Sequence, residues 1–147
     1  MITGAAREPE VIALCEFLTA CGASIEGMGS PELIIHGGGD LHGTRYTVPA
    51  DRIVAGTYLF GCIGCGGSVL LNQAPWSQME AVTVASERMG AQCTVSEEGL
   101  FVQAPVRPKS IGHLQTGPYP EFPTDLQSAA MAVLTMAEGI SYIEENI

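Results

Sequence analysis

The chain is poor in positive charge: six Lys and Arg stand against sixteen Asp and Glu, giving a formal net charge of −10. A nucleic-acid-binding protein needs clustered cations to replace the counterions of the phosphate backbone, so the composition argues against that class. Attachment to an anionic membrane surface is disfavoured for the same reason. We therefore expect neither nucleic acid nor membrane as a partner.

Long apolar runs are also missing. No stretch approaches the roughly 18 apolar residues of a membrane span, and the N-terminal MITGAAREPE lacks the charged and apolar regions of a signal peptide. Five cysteines, an odd number set within apolar periodic stretches, do not suit the disulfide framework of a secreted domain. These absences predict a cytoplasmic protein whose thiols are reduced and buried.

What is present suffices for a hydrophobic core: 147 residues, of which 46% are hydrophobic. Helical periodicity and capping residues predict four helices, over residues 9–23, 50–67, 76–91 and 125–139. The second of these is so apolar that we expect it to be deeply buried. Short apolar segments bounded by Gly, Pro and Ser predict six strands, over residues 23–28, 32–37, 68–74, 91–96, 100–105 and 140–147.

The order of these elements repeats. CGASIEG at Cys21 is echoed by MGAQCTV at Met89, and VPADRI at Val48 by FPTDLQ at Phe122, so the period is about 70 residues. Each unit contains helix, strand, strand, Pro-x-Asp, helix and strand. Consecutive strands favour hairpins and helix–strand steps favour crossovers, which together predict an α+β fold of two tandem units with a mixed sheet covered by helices.

Several motifs have plain structural explanations. CIGC, Cys62–Cys65, matches C-x-x-C, but a redox thiol needs a helix N-terminus and this pair ends an apolar helix, so we expect it to pack. A zinc site would need two further ligands that the sequence does not supply. Residues 37–49 are a predicted connector, because they lack the Gly-Lys frame of a phosphate loop. The three histidines are expected at the surface.

Two aspartates are the strongest candidates for chemistry. Asp51 and Asp125 each follow a Pro-x step, and each precedes an apolar helix. Either could be an N-cap, since a short carboxylate side chain accepts hydrogen bonds from the first free N–H groups of a helix. A carboxylate at that position beside a stiff, aromatic loop such as TGPYPEFP could also accept a proton from a substrate hydroxyl. Both alternatives stay open at this level.

Three strings make the chain recognisable: residues 4–37, VPADRIVAGTYL from Val48, and PEFPTDLQ from Pro120. They resemble the enolpyruvyl transferase family, in particular the members that act on UDP-N-acetylglucosamine. The resemblance covers essentially all 147 residues and corresponds to a central segment of a longer enzyme. It implies tandem strand-helix units of an inside-out barrel, with mixed sheets packed on buried helices.

The resemblance also implies a domain division and a reaction. Residues 1–48 correspond to the end of the upstream domain, which carries the family's catalytic cysteine loop. Residues 49–147 correspond to the first unit and the start of the second unit of the other domain. The family transfers the enolpyruvyl group of phosphoenolpyruvate to the 3-hydroxyl of UDP-N-acetylglucosamine and releases phosphate, a step of peptidoglycan synthesis, with no cofactor and no metal.

The family's site residues transfer to a few positions. Asp125 matches the aspartate that contacts the sugar hydroxyl and is the candidate base, and Ile147 matches a position that lines the same substrate. Asp51 and Arg52 match an Asp-Arg step of the family pattern and are further candidates. The catalytic cysteine loop lies outside the segment, so we expect the isolated chain to be inactive and to self-associate through uncovered apolar faces. The alternative is a non-catalytic two-unit scaffold or binding module that retains the fold.

Overall fold

The computed structural model describes all residues, 1–147, and separates them into two compact units, Met1–Pro49 and Ala50–Ile147. Four α-helices and eight strands form, and the four predicted helices and six predicted strands occur among them in the predicted order. The helices are α1 Pro9–Ala20, α2 Arg52–Cys65, α3 Glu80–Arg88 and α4 Gln127–Leu134. The strands are β1 Ile2–Thr3, β2 Ser24–Glu26, β3 Glu32–His36, β4 Ser68–Asn72, β5 Gln92–Ser96, β6 Gly99–Gln103, β7 Gly112–Gln115 and β8 Ser141–Glu144.

The first unit packs α1 on a three-stranded antiparallel sheet of order β1-β3-β2. Pro9 occupies the first turn of α1, where its missing N–H costs nothing. The helix ends at Ala20, and Gly22, just beyond the C-cap residue Cys21, adopts a φ of 102° that a side chain would disfavour. A small core of Cys15, Ile25 and Leu33 holds helix and sheet together, and the predicted connector after β3 contains no regular structure.

The second unit contains a three-stranded antiparallel sheet of order β4-β6-β5 and a two-stranded parallel pair, β7-β8. The hairpin β5-β6 was predicted, and so was a crossover through a helix, which α4 supplies between β7 and β8. The core of this unit is formed by residues from all three helices and from the antiparallel sheet. Its fully buried large side chains include Leu59, Phe60, Ile63, Met89 and Leu126.

The fold is α+β with helices and sheets as expected, but several details differ from the prediction. Parallel and antiparallel pairs lie in separate small sheets and not in one mixed sheet. Strands β1 and β7 were not predicted, because two to four residues are too few to show an alternating pattern. Tertiary pairing with β3 and β8 is what makes each of them a strand.

The predicted third and fourth helices are both too long. A 3₁₀ turn, Trp76–Gln78, precedes α3, and Met79 between them leaves helical geometry while its side chain is buried in the core. Another 3₁₀ turn, Thr124–Leu126, precedes α4, which stops at Leu134. Periodicity could not show these breaks, because a 3₁₀ turn places apolar residues on nearly the same face as an α-turn.

Helix α2 is buried on one face only, which is less than the deep burial expected from its apolar sequence. Ala55, Leu59 and Ile63 face the core, whereas Val54 and Tyr58 are 52% and 67% exposed. No helix of the chain combines the length and the apolar character that crossing a membrane requires.

Candidate functional site

The start of α2 is fixed by Asp51. Its Oδ1 accepts hydrogen bonds from the backbone N–H groups of Ile53, at 2.7 Å, and Val54, at 3.1 Å. This is an N-cap, an interaction that contributes about 0.5–2 kcal/mol to helix stability. The structural explanation of Asp51 is therefore confirmed, and its carboxylate is engaged with the helix backbone.

Arg52 connects the start of α2 to the proline-rich segment, residues 116–123, which we call the proline loop. The side chain is buried, and its guanidinium carbon lies 5.3 Å from the centroid of the Tyr119 ring. A cation over an aromatic face is attracted by the ring quadrupole, the more so where water is excluded. Two regions singled out from the sequence, the Asp-Arg step and the proline loop, are thus in contact within the second unit.

The proline loop is held closed by its own backbone. The N–H of Gly117 donates to the carbonyl of Phe122 at 3.0 Å, and the N–H of Glu121 donates to the carbonyl of Pro118 at 3.0 Å. Phe122 is buried against Phe60 of α2, with ring centroids 6.1 Å apart. The loop is therefore conformationally restricted, as its proline content predicted.

Asp125 lies in the turn that directly follows this loop, Thr124–Leu126, which we call the Asp125 turn. The interpretation of Asp125 as an N-cap is wrong, because no side chain caps either the turn or α4. The 3₁₀ turn begins before Asp125, at Thr124, and the N–H of Leu126 donates to the carbonyl of Pro123 at 3.1 Å. Asp125 therefore lies inside the turn and not at the position before it. Its carboxylate is exposed and is left open for another partner.

Ile147, the other candidate substrate residue, follows β8, and Glu145 links this strand end to the Asp125 turn. Glu145 Oε2 accepts from the Thr124 hydroxyl at 2.9 Å. Its Oε1 accepts from the Thr116 hydroxyl at 2.8 Å and from the N–H of Ile147 at 3.0 Å. One carboxylate thus joins the start of the proline loop, the Asp125 turn and the strand end that carries Ile147.

Thr116 anchors this network, because it is fully buried while Glu145 is exposed. Its hydroxyl donates to Glu145 and also accepts from the N–H of Asn146 at 3.0 Å. Sequence reasoning did not find Glu145, Thr116 or Thr124 as members of the site. The parallel pairing of β7 with β8 brings residues 116 and 145 together, and this pair was not predicted because β7 itself was not.

The hydrogen bonds to Glu145 lower the pKa of its carboxyl group, first through the Thr116 hydroxyl and then through the N–H of Ile147. A carboxylate whose folded-state pKa lies below its unfolded value stabilises the fold above the unfolded pKa, near 4.5, and loses that contribution as the pH falls through the folded pKa.

We expect Glu145→Gln to lower the melting temperature of the chain by no more than a few degrees at pH 7, since the group is exposed to water. The difference from wild type should shrink as the pH falls below 4.5 and through the lowered pKa of Glu145, because the wild-type side chain then becomes neutral like Gln. Melting curves between pH 3 and 7 measure it. Glu144→Gln is the control, because that exposed carboxylate contacts His113 instead. A difference that is independent of pH would contradict the assignment.

The cysteines are free thiols, and they are less uniformly buried than the sequence suggested. Cys15 is buried, three others are half-buried, and Cys65 is exposed at the end of α2. Burial raises the pKa of Cys62, whose thiol points to the carbonyl of Val102 at 3.9 Å, and raises the pKa of Cys93 to about 11. Raised values oppose thiolate chemistry, which agrees with packing for Cys62. No group of three or more His, Cys, Asp or Glu side chains is placed to hold a metal ion.

The arrangement suits recognition of a hydroxyl group. An exposed carboxylate on a braced turn can accept a hydroxyl proton, and the stiff loop beside it limits where that hydroxyl can lie. Arg52 contacts the loop through Tyr119, Asp51 caps the helix that begins with Arg52, and Ile147 offers an exposed apolar side chain at the neighbouring strand end.

The sequence matches one protein-family model over residues 1–147, that of EPSP synthase (3-phosphoshikimate 1-carboxyvinyltransferase). Among curated proteins, a UDP-N-acetylglucosamine 1-carboxyvinyltransferase from Zymomonas mobilis is 44% identical over 147 residues, all of this chain and 34% of its own length. One of the same name from Cellvibrio japonicus is 43% identical over 148 aligned residues, 35% of its length. The chain thus spans about a third of the curated relatives that it matches.

Among solved structures, the enolpyruvyl transferase NikO from Streptomyces tendae superimposes with a TM-score of 0.78. The match covers 97% of this chain and 34% of that chain, at 21% sequence identity. At that identity the likeness concerns the fold alone, and it agrees with the α+β architecture of tandem strand-helix units.

Proposed function

We propose a function from one premise: the chain belongs to the EPSP synthase family, the enolpyruvyl transferases. Within that family it is proposed to take part in transferring the enolpyruvyl group of phosphoenolpyruvate to the 3-hydroxyl of UDP-N-acetylglucosamine, with release of phosphate. The support is the identity of 43–44% across the whole chain to relatives named for that acceptor. The setting would be peptidoglycan synthesis in the cytoplasm.

The observation that carries this proposal is the exposed carboxylate of Asp125 on its braced turn. In the addition step the sugar oxygen bonds to C2 of phosphoenolpyruvate while a proton is added at C3. Asp125 is proposed to accept the hydroxyl proton as that bond forms. In the elimination step C3 loses a proton, the bond from C2 to the phosphate oxygen breaks, and the enol ether and phosphate are released.

The remaining candidates take supporting roles in this proposal. Ile147 would line the sugar, and Arg52 would hold the proline loop in place through Tyr119. Asp51 would act through the cap that fixes the start of α2. Neither Asp125 nor any of these three residues is proposed to hold the diphosphate or phosphoenolpyruvate. A chain with a net charge of −10 repels both of these polyanionic groups.

The domain division is proposed along the family pattern. Residues 1–48 would complete the domain that carries the catalytic cysteine loop, and residues 49–147 would form one unit and the start of the next in the other domain. The separation into the compact units Met1–Pro49 and Ala50–Ile147 supports a boundary at that point.

The proposal is tested in a chimera in which this chain replaces the matching third of the Zymomonas mobilis relative. We expect the chimera to release phosphate from phosphoenolpyruvate when UDP-N-acetylglucosamine is added, and the 147-residue chain alone to release none. The second acceptor to try is 3-phosphoshikimate, after which the family is named. A folded chimera that uses only 3-phosphoshikimate, or neither acceptor, would overturn the assignment.

Self-association of the chain is proposed from its exposed apolar side chains. Val54 and Tyr58 form an exposed apolar face on α2, and burial of such a face between two molecules favours association. We expect sedimentation to show dimers or larger species whose fraction rises with concentration and falls in Tyr58→Lys. The matched control is Val106→Lys, at an exposed residue outside the helices. A monomer at every concentration would contradict the proposal.

A further inference from the structure

The side chain of Glu145 makes more defined contacts than an exposed carboxylate usually keeps. Each oxygen has its own hydroxyl partner, Thr116 on Oε1 and Thr124 on Oε2, and Oε1 also accepts the N–H of Ile147. Sequence-distant segments meet at this one group, because Thr116 and Glu145 are 29 residues apart and Thr124 and Glu145 are 21 apart.

The link to the Asp125 turn runs through a single hydrogen bond. Thr124 is the residue before Asp125, and its hydroxyl donates to Oε2. The other hydroxyl partner of Glu145, Thr116, is held in place because it is fully buried. Its hydroxyl donates to Glu145 and accepts from the N–H of Asn146. A displacement of Glu145 would therefore move the Asp125 turn relative to the strand end, while the buried end of the network stays in place.

We propose that Glu145 is a positioning residue, which sets the distance between the Asp125 carboxylate and an acceptor sugar lying against Ile147. This inference rests on the proposed function, because it assigns Asp125 and Ile147 to the same substrate. Glu145 itself touches neither substrate nor reacting atom in the proposal and acts through Thr124. A misplacement of about 1 Å at a reacting group can cost up to about 10²-fold in rate.

The neighbouring residue supplies a matched control. Glu144 precedes Glu145 on the same strand end, and its exposed side chain contacts His113 at 3.1 Å. Because side chains alternate along a strand, Glu144 points away from the Thr116–Thr124 network. Glu144→Gln removes the same charge one residue away and breaks none of the hydrogen bonds to Glu145.

The first measurement uses the 147-residue chain and needs no catalysis. NMR spectra are followed through the pH range in which Glu145 titrates. We expect the amide signals of Asp125 and Ile147 to move with that titration in wild type and in Glu144→Gln. In Thr124→Val the Asp125 response should be lost, and in Thr124→Ser it should be retained. If the Asp125 amide signal of the wild-type chain does not shift as Glu145 titrates, the positioning role is overturned, whatever reaction the protein catalyses.

The second measurement uses the chimera with phosphoenolpyruvate and UDP-N-acetylglucosamine. We expect Glu145→Gln and Thr124→Val each to lower kcat by about tenfold to 10²-fold, with the KM for phosphoenolpyruvate unchanged, and Thr124→Ser to restore the rate. In an Asp125→Asn background the Glu145→Gln substitution should have no further effect, because its role runs through Asp125. Equal losses in both backgrounds overturn the inference. A wild-type chimera that folds but transfers nothing overturns the proposed function instead, and the NMR result then decides the link on its own.

Discussion

We expect Asp125→Asn to slow enolpyruvyl transfer in the chimera by about 10²–10⁴-fold, the loss that follows removal of a general base. The amide keeps the size of the side chain and one acceptor oxygen, so it can still hydrogen-bond a sugar hydroxyl but cannot take its proton. The KM for UDP-N-acetylglucosamine should therefore change much less than kcat. Steady-state phosphate release over a range of acceptor concentrations separates the two.

The melting temperature of the Asp125→Asn protein should equal that of wild type. The carboxylate caps neither the turn nor α4, and it is exposed, so the fold loses no hydrogen bond with it. The rate loss can then be read as chemistry and not as partial unfolding. An Asp125→Asn chimera that turns over at a near wild-type rate would show that Asp125 is not the base.

Asp51→Ala is the informative comparison, because it removes a carboxylate that does cap a helix. The two hydrogen bonds from Ile53 and Val54 disappear, at a cost of about 0.5–2 kcal/mol in the free energy of unfolding. The rate per folded molecule should fall far less than in Asp125→Asn. Although the two aspartates are equivalent in the sequence pattern, we expect Asp51→Ala to lower stability and Asp125→Asn to lower the rate.

The sequence could predict the element order, because periodicity and turn residues are local signals. It placed α1, α2 and the hairpin strands correctly, and it marked the Asp-Arg step and the proline loop as special. It could not distinguish Asp51 from Asp125, since both follow Pro-x. The difference arises from the 3₁₀ turn at Thr124–Leu126, whose early start moves Asp125 out of the cap position.

The network around Glu145 was beyond prediction for a physical reason. Its hydrogen bonds join residues 21 to 30 positions apart, through the parallel pairing of two four-residue strands. Such short strands carry almost no pattern of their own, and tertiary contacts decide where they pair. In the sequence, Thr124-Asp125 and Glu145-Asn146 cannot be distinguished from the polar residues of ordinary loops. Only the folded structure brings them together.

The position of the Asp125 turn also depends on a close approach at Gly56 of α2. A Cβ added to Gly56 would overlap the terminal methyl of Leu126, which is fully buried in the last position of the turn. Gly61, in the same helix, has nothing within 4 Å of such a Cβ. Helix and turn can therefore pack as they do only because residue 56 has no side chain.

We expect Gly56→Ala and Gly61→Ala to change stability in opposite directions. Alanine is favoured over glycine inside a helix by up to about 1 kcal/mol, and Gly61→Ala should gain most of that. At Gly56 the same gain is opposed by overpacking against Leu126, which costs about 1–3 kcal/mol, so the net change should be destabilising. Urea unfolding of the chain measures both, with the folded spectrum checked for each variant.

Leu126→Ala alone should cost about 2–5 kcal/mol, the largest loss of stability expected here, because it leaves a cavity in the core. In the Gly56→Ala/Leu126→Ala double variant the new methyl group occupies part of that space, so the combined loss should be smaller than the sum of the two. In the chimera, Gly56→Ala should also lower kcat, since relief of the overlap moves the turn that carries Asp125. Additive stability losses, or a Gly56→Ala variant as stable as Gly61→Ala, would show that this contact does not set the position of the turn.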